Sequence, residues 1–157
     1  KNWNSAVMPD DLVYVLGDLT MMGKDQLTKT QALVHKLNGK KILVYGNHDK
    51  FSPTDYIDMG FSSVHYPYLK YEDFYMFHDP ALATACPVGS TCLCGHVHDL
   101  FTTLKTDKDN LLINVGVDVW NYTPVSLNTI KELVEARKMM EGPISKDTLD
   151  MVKEVTE

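Results

Sequence analysis

At 157 residues the chain can bury one real hydrophobic core but is too short for two comfortable domains. Hydrophobic residues at 44% and charged residues at 23% give an ordinary globular composition, and a net charge of −6 argues against a broad basic surface that grips nucleic acid. A phosphate-bearing small molecule is not excluded, since bound metal ions can supply the positive charge that the polypeptide lacks.

Apolar runs such as residues 12–16 and 42–45 fall well short of the roughly 18 residues that suggest a membrane span, so no membrane partner is expected. No secretion signal is visible in a sequence that begins Lys1-Asn2-Trp3. Cys86, Cys92 and Cys94 lack the paired C-x-x-C spacing of a structural zinc site, and an odd count fits poorly with a secreted disulfide framework. Reduced, partly buried thiols in a cytoplasmic protein are the expectation.

Residues 11–16 form an apolar, β-branched and aromatic run ending at Gly17, which predicts a buried strand. Leu27, Leu33, Val34 and Leu37 recur at helical spacing within residues 24–37, and Asn38-Gly39 is the stop signal. A second buried strand over residues 41–45 ends at Gly46, completing a βαβ unit with parallel strands. Residues 61–77 alternate loosely between aromatic or β-branched and polar types, which predicts short strands and turns. Another strand is expected over 111–117, and Asn128 is the expected cap of a helix carrying Ile130, Leu133, Val134 and Arg137. Glu141-Gly142-Pro143 should break the chain before a last helix over 146–155, capped by Ser145. The apolar edge of that helix, Leu149, Val152 and Val155, would pack on the domain or on a second copy as a homo-oligomer. The expected organisation is one domain over residues 1–137, followed by a linker and short helix over 138–157.

Residues able to bind metal fall just past predicted strands. Asp18 follows the first, Asn47, His48 and Asp49 the second, His78 the run 75–77, and His96 and His98 the segment Leu93-Cys94-Gly95. That edge of an open α/β sheet is where loops converge on a ligand. Imidazole, carboxylate and amide oxygen without thiolate suit Mn, Fe, Zn or Ni. His35, late in a helix, and His65, in a turn-rich aromatic stretch, have structural explanations and are left outside the site.

Gly17-Asp18, Gly46-Asn47-His48-Asp49, His78-Asp79-Pro80 and Gly95-His96-Val97-His98, in that order, resemble the calcineurin-like metallophosphoesterase family. The segment from Asn114 to Leu127 resembles the end of its small bacterial and phage-type members, and the match covers roughly residues 2–134. The resemblance implies an α/β fold of two packed mixed β-sheets flanked by helices, the metallo-dependent phosphatase-like arrangement. It also implies hydrolysis of phosphate esters, chiefly phosphodiesters, by a metal-activated hydroxide at a dinuclear site with Mn favoured. The substrate would be a small phosphate ester or nucleotide. On this resemblance Asp18 bridges two ions, Asn47, His78 and His96 complete one site, and His98 belongs to the other. His48 would face the substrate phosphate, and Asp49 would hold the His48 ring. Asp118, Trp120 and Tyr122 are candidate substrate contacts.

The family opens with an Asp-x-His motif on its first strand, and nothing before Asp18 matches it. Asp10 and Asp11 have no His beside them, while Asn2-Trp3-Asn4 resembles the end of the helix that comes after that strand. The first strand is therefore expected to be missing, leaving donors for one ion and only Asp18 and His98 for the other. This opens two alternatives: a non-catalytic metal-binding scaffold, or an inactive truncated fragment of such an enzyme.

Overall fold

In a computed structural model that describes residues 1–140, the chain opens with a short helix, α1 (Asn2–Ala6). Its side chains fasten to a distant turn: the Trp3 indole donates to the Asn38 carbonyl at 2.9 Å, and the Asn38 amide donates to Asn4 Oδ1 at 2.9 Å. Strand β1 (Leu12–Leu16) comes next. The predicted helix over 24–37 is shorter than its periodicity suggests. A 3₁₀ turn occupies Lys24–Gln26 and the α-helix proper, α2, spans Leu27–Val34. Buried Lys41 explains the orderly exit, because its ammonium donates to the carbonyls of Leu37 at 2.8 Å and Gly39 at 3.0 Å.

Strand β2 (Lys40–Val44) pairs in parallel with β1, as the βαβ pattern requires. A helix not foreseen from periodicity, α3 (Pro53–Asp58), lies beyond it. Ser52 and Asp55 form its reciprocal capping box and Pro53 opens its first turn. Strand β3 (Phe61–His65) then joins β2 in parallel, giving the sheet order β1-β2-β3. One face of this sheet carries a core of Val34, Leu43, Phe51, Tyr56, Met59 and Phe61, with Val15 and Leu27 packed against it. Burying each such large side chain contributes about 1.5–3 kcal/mol.

Residues 61–77 do become short strands. β4 (Tyr68–Tyr71) and β5 (Phe74–Phe77) form an antiparallel hairpin. β6 (Thr91–Cys94) pairs in parallel with β5. β7 (Thr103–Lys105) runs antiparallel to β8 (Leu111–Asn114), and β8 pairs in parallel with β6. The second sheet has the order β4-β5-β6-β8-β7, and a core of Phe77, Ala83, Cys92, Cys94 and Leu112. Two sheets flanked by helices are thus present. Only the second is mixed, because each connection in the first carries a helix and returns the chain parallel. The strand expected over 111–117 stops at Asn114, where the Asn114 side chain captures the Gly116 amide and turns the chain.

A second compact unit begins at Val125. Its helix α4 (Leu127–Met140) places buried Ile130 and Val134 four residues apart on one face. Ser126 rather than Asn128 caps it, since Ser126 Oγ accepts the Thr129 amide at 3.1 Å. The predicted helix over 146–155, with Ser145 and the oligomer contact assigned to it, lies outside the described residues. Among the described residues no helix is long and apolar enough to cross a membrane.

Candidate metal centre

The C-terminal ends of β1, β2, β5 and β6 meet at one place. Gly17 has φ +78°, and a Cβ there would lie 2.5 Å from His78 Nδ1 and 2.6 Å from the Gly46 Cα. A Cβ on Gly46 would lie 2.5 Å from the Asp18 amide nitrogen. Only two glycines allow the loops after β1 and β2 to approach this closely. The next residues then turn sharply: Asp18, His96 and His98 have φ of 53°, 68° and 48°, left-handed values that Asp and His tolerate better than most side chains.

Four side-chain atoms converge as a result. His78 Nε2 lies 2.8 Å from Asn47 Oδ1, 3.0 Å from His96 Nδ1 and 3.2 Å from Asp18 Oδ2. His96 Nδ1 lies 3.1 Å from Asn47 Oδ1. Nδ1 of buried His78 faces the Leu16 carbonyl at 2.8 Å. A carbonyl oxygen only accepts, so this contact places the imidazole proton on Nδ1 and leaves the Nε2 lone pair aimed into the cluster. A carboxylate oxygen and an amide oxygen are aimed there too. Acceptors facing one another repel unless a proton or a cation sits between them. One proton serves one or two of these atoms, whereas a divalent cation serves all four. Asp18, His78 and His96 form a group of metal-competent atoms mutually within 4.8 Å, and Asn47 adds a neutral oxygen. The donor set therefore fits a divalent ion.

His48 is anchored at the rim, its backbone amide donating to Asp18 Oδ1 at 2.8 Å. Asp49 has a different task from the one expected of it. Its carboxylate accepts the amides of Asp18 at 2.9 Å, Leu19 at 3.1 Å and Gly46 at 2.8 Å, and the Tyr56 hydroxyl at 3.0 Å. No hydrogen bond from Asp49 to the His48 ring occurs among the described residues. Asp49 thus clasps the loop after β1 to the loop after β2. Burial, reinforced by the Asp49 charge, pushes the Tyr56 hydroxyl far above the usual tyrosine range and keeps it a donor.

His98 stands apart from the four-atom cluster. Its ring is largely exposed, and Nδ1 lies 3.5 Å from Asp118 Oδ2. Asp118 sits on a 3₁₀ turn, Val117–Val119. Trp120 is an anchor, its indole donating to the Asn114 carbonyl at 2.8 Å, and exposed Tyr122 receives the Asn2 amide on its backbone oxygen at 3.0 Å. Neither excluded histidine joins the site: His65 pairs with Ser63 Oγ at 3.0 Å, and His35 lies beside Gly60.

Two residues matter that motif reasoning passed over. Tyr56 carried no signal beyond an aromatic in a short polar segment. Asn114 did carry one, since like Asp18 and His78 it sits at a strand end. Wholly buried, it donates to the carbonyls of His98 at 2.7 Å and Phe101 at 2.9 Å, and accepts the Gly116 amide at 2.8 Å.

No family model matches the chain. It is similar in structure to a protein of unknown function, AQ665 from Aquifex aeolicus, with a TM-score of 0.61 and 24% identity over 84% of this chain and 81% of that one. That likeness shows a shared fold and nothing about activity. In sequence it is 34% identical over 144 residues to the uncharacterized protein MJ1445 of Methanocaldococcus jannaschii, covering 89% of this chain and 75% of that protein. The chain therefore belongs to the same family as MJ1445.

Proposed function

We propose that the protein is a metal-dependent phosphoesterase of the calcineurin-like type, acting on small phosphodiesters, with its two sheets in the metallo-dependent phosphatase-like arrangement. The observation that carries this reading is the convergence of Asp18 Oδ2, Asn47 Oδ1, His78 Nε2 and His96 Nδ1 at the ends of four strands, with His48 held at the rim by the same Asp18 carboxylate. A divalent ion held by those four side chains, Mn being favoured, would supply Lewis acidity and lower the pKa of a water molecule. The chain's own residues supply the rest. Asp18 fixes the His48 backbone, which positions an imidazole to meet negative charge developing on the phosphate or to donate a proton to the leaving oxygen. Asp49 and Tyr56 hold the two loops in register, so the geometry need not be assembled when substrate arrives.

Hydrolysis of a chromogenic phosphodiester with added Mn²⁺ tests this reading. Turnover should disappear with EDTA and fall by at least about 100-fold in His48→Ala, the order expected for a lost acid–base or charge-stabilising group. Turnover that survives both treatments would overturn it. The second reading, a metal-binding scaffold without catalysis, is favoured by the single three-residue metal-competent group found among the described residues. Tight Mn²⁺ binding with no turnover would select it.

A further inference from the structure

We propose that Asn114 is a positioning residue for the metal centre: its buried amide holds the turn after β6 in the left-handed form that aims His96 at the Asp18 cluster. This rests on reading that cluster as a metal centre, and Asn114 reaches the ion only through His96.

The ligand side chains are not held alike. His78 is buried with Nδ1 tied to the Leu16 carbonyl at 2.8 Å, and the Asp18 carboxylate accepts the His48 amide at 2.8 Å. His96 is exposed, so the direction of its ring follows from the backbone that carries it. That backbone is unfavourable. His96 and His98 have φ of 68° and 48°, a region costly for any residue with a Cβ, and such conformations persist only where surrounding contacts over-determine them.

Main-chain hydrogen bonds shape the near side of the turn. Gly95 donates to the His78 carbonyl at 3.1 Å, Val97 to the Gly95 carbonyl at 2.8 Å and Leu100 to the Val97 carbonyl at 3.0 Å. Asn114 closes the far side. Its Nδ2 donates to the carbonyls of His98 at 2.7 Å and Phe101 at 2.9 Å, while Oδ1 accepts the Gly116 amide at 2.8 Å. Both donors of the amide and its acceptor are thus engaged. Asparagine alone among side chains of this reach offers that set, since Asp has no proton for the two carbonyls and Gln carries its amide one methylene farther out. The Asn114 main chain pairs opposite Cys94 in the β6–β8 register, which fixes the amide to the strand that launches the turn.

A second wholly buried asparagine stands at the opposite end of β8. Asn110 Oδ1 accepts the Ser90 amide at 2.9 Å, and Nδ2 donates to the Ala83 carbonyl at 3.0 Å. It joins loops in the same manner without touching the ligand turn, so it separates lost positioning from a general loss of fold.

The test is calorimetric titration with Mn²⁺ of the wild type, Asn114→Ala and Asn110→Ala, together with amide hydrogen exchange of the metal-free chains. Asn114→Ala should weaken Mn²⁺ binding by at least about 10-fold, the scale expected of a group that orients a metal ligand. Without the ion, it should also speed exchange of the Val97 and Leu100 amides. Asn110→Ala should change neither the affinity nor those two amides by more than about 2-fold. Gly116→Ala serves where Asn114→Ala does not fold. Its Cβ would lie 2.9 Å from Asn114 Oδ1 and cannot retreat without stretching the Gly116 hydrogen bond to that same oxygen, so affinity should fall there too. Wild-type affinity in Asn114→Ala or in Gly116→Ala, or equal losses in Asn114→Ala and Asn110→Ala, would overturn the positioning role and leave the metal centre standing. No Mn²⁺ binding by the wild type would overturn the metal centre, and the positioning role with it.

Discussion

Asp49 illustrates how a residue placed in a motif can act through the backbone. Its two oxygens satisfy three amides from two loops and one phenol. Asp49→Ala would leave those donors unpaired in a partly buried position, which should cost about 2–4 kcal/mol in urea unfolding. A loss under about 0.5 kcal/mol would mean water replaces the carboxylate freely. Cys92 and Cys94 make a separate prediction. Burial raises both thiols to about 12, with neighbouring Cys86 adding to the shift of Cys92 and Asp79 to that of Cys94. Above about pH 9 the unfolded thiols ionise while the folded ones keep their protons, so the unfolded state binds fewer protons. The stability from these groups is complete below that pH and falls towards pH 12, by about 1.4 kcal/mol per pH unit for each thiol. Urea midpoints at pH 8 and pH 10.5 should differ less in Cys92→Ala/Cys94→Ala than in the wild type, and equal differences would contradict the assignment.

At the scale of elements, the site depends on where strands stop and on the residues just past their ends. Gly17→Ala forces a Cβ into left-handed backbone and within 2.6 Å of Gly46. Gly89 offers a matched control, with φ +76° and no atom within 4 Å of the place a Cβ would occupy. Gly89→Ala should cost about 1 kcal/mol from backbone conformation alone, and Gly17→Ala clearly more, with weakened Mn²⁺ binding in Gly17→Ala only. Equal costs would show that loop approach is unimportant. The same strand ends were legible in the sequence, because a both-faces-apolar run ending in Gly and a polar ligand type is a local pattern. Helix α3 was not legible, since its six residues bury only Tyr56 and leave no apolar period to detect. The Ser126 cap was misplaced by two residues for a related reason: Ser126 and Asn128 are both good caps, and only the geometry chooses. Asp49's clasp was likewise hidden, because its partners at Asp18 and Leu19 are backbone amides about thirty positions away that no side-chain motif encodes.

For the whole molecule, a cation that binds only the folded state must stabilise it. At a free Mn²⁺ concentration of 100 times the dissociation constant the gain is about 2.7 kcal/mol, which corresponds to a rise in Tm of about 5–10 °C for a chain of this size. Differential scanning calorimetry with Mn²⁺ and then with EDTA should show the rise and its reversal. The rise should be absent in His78→Ala, which removes the nitrogen common to three of the cluster's short contacts. The most direct measurement is anomalous diffraction from crystals grown with Mn²⁺ or Zn²⁺. The account predicts a strong peak about 2.0–2.2 Å from Asp18 Oδ2, Asn47 Oδ1, His78 Nε2 and His96 Nδ1 together. A site without density there, in crystals that take up the metal elsewhere, would contradict it.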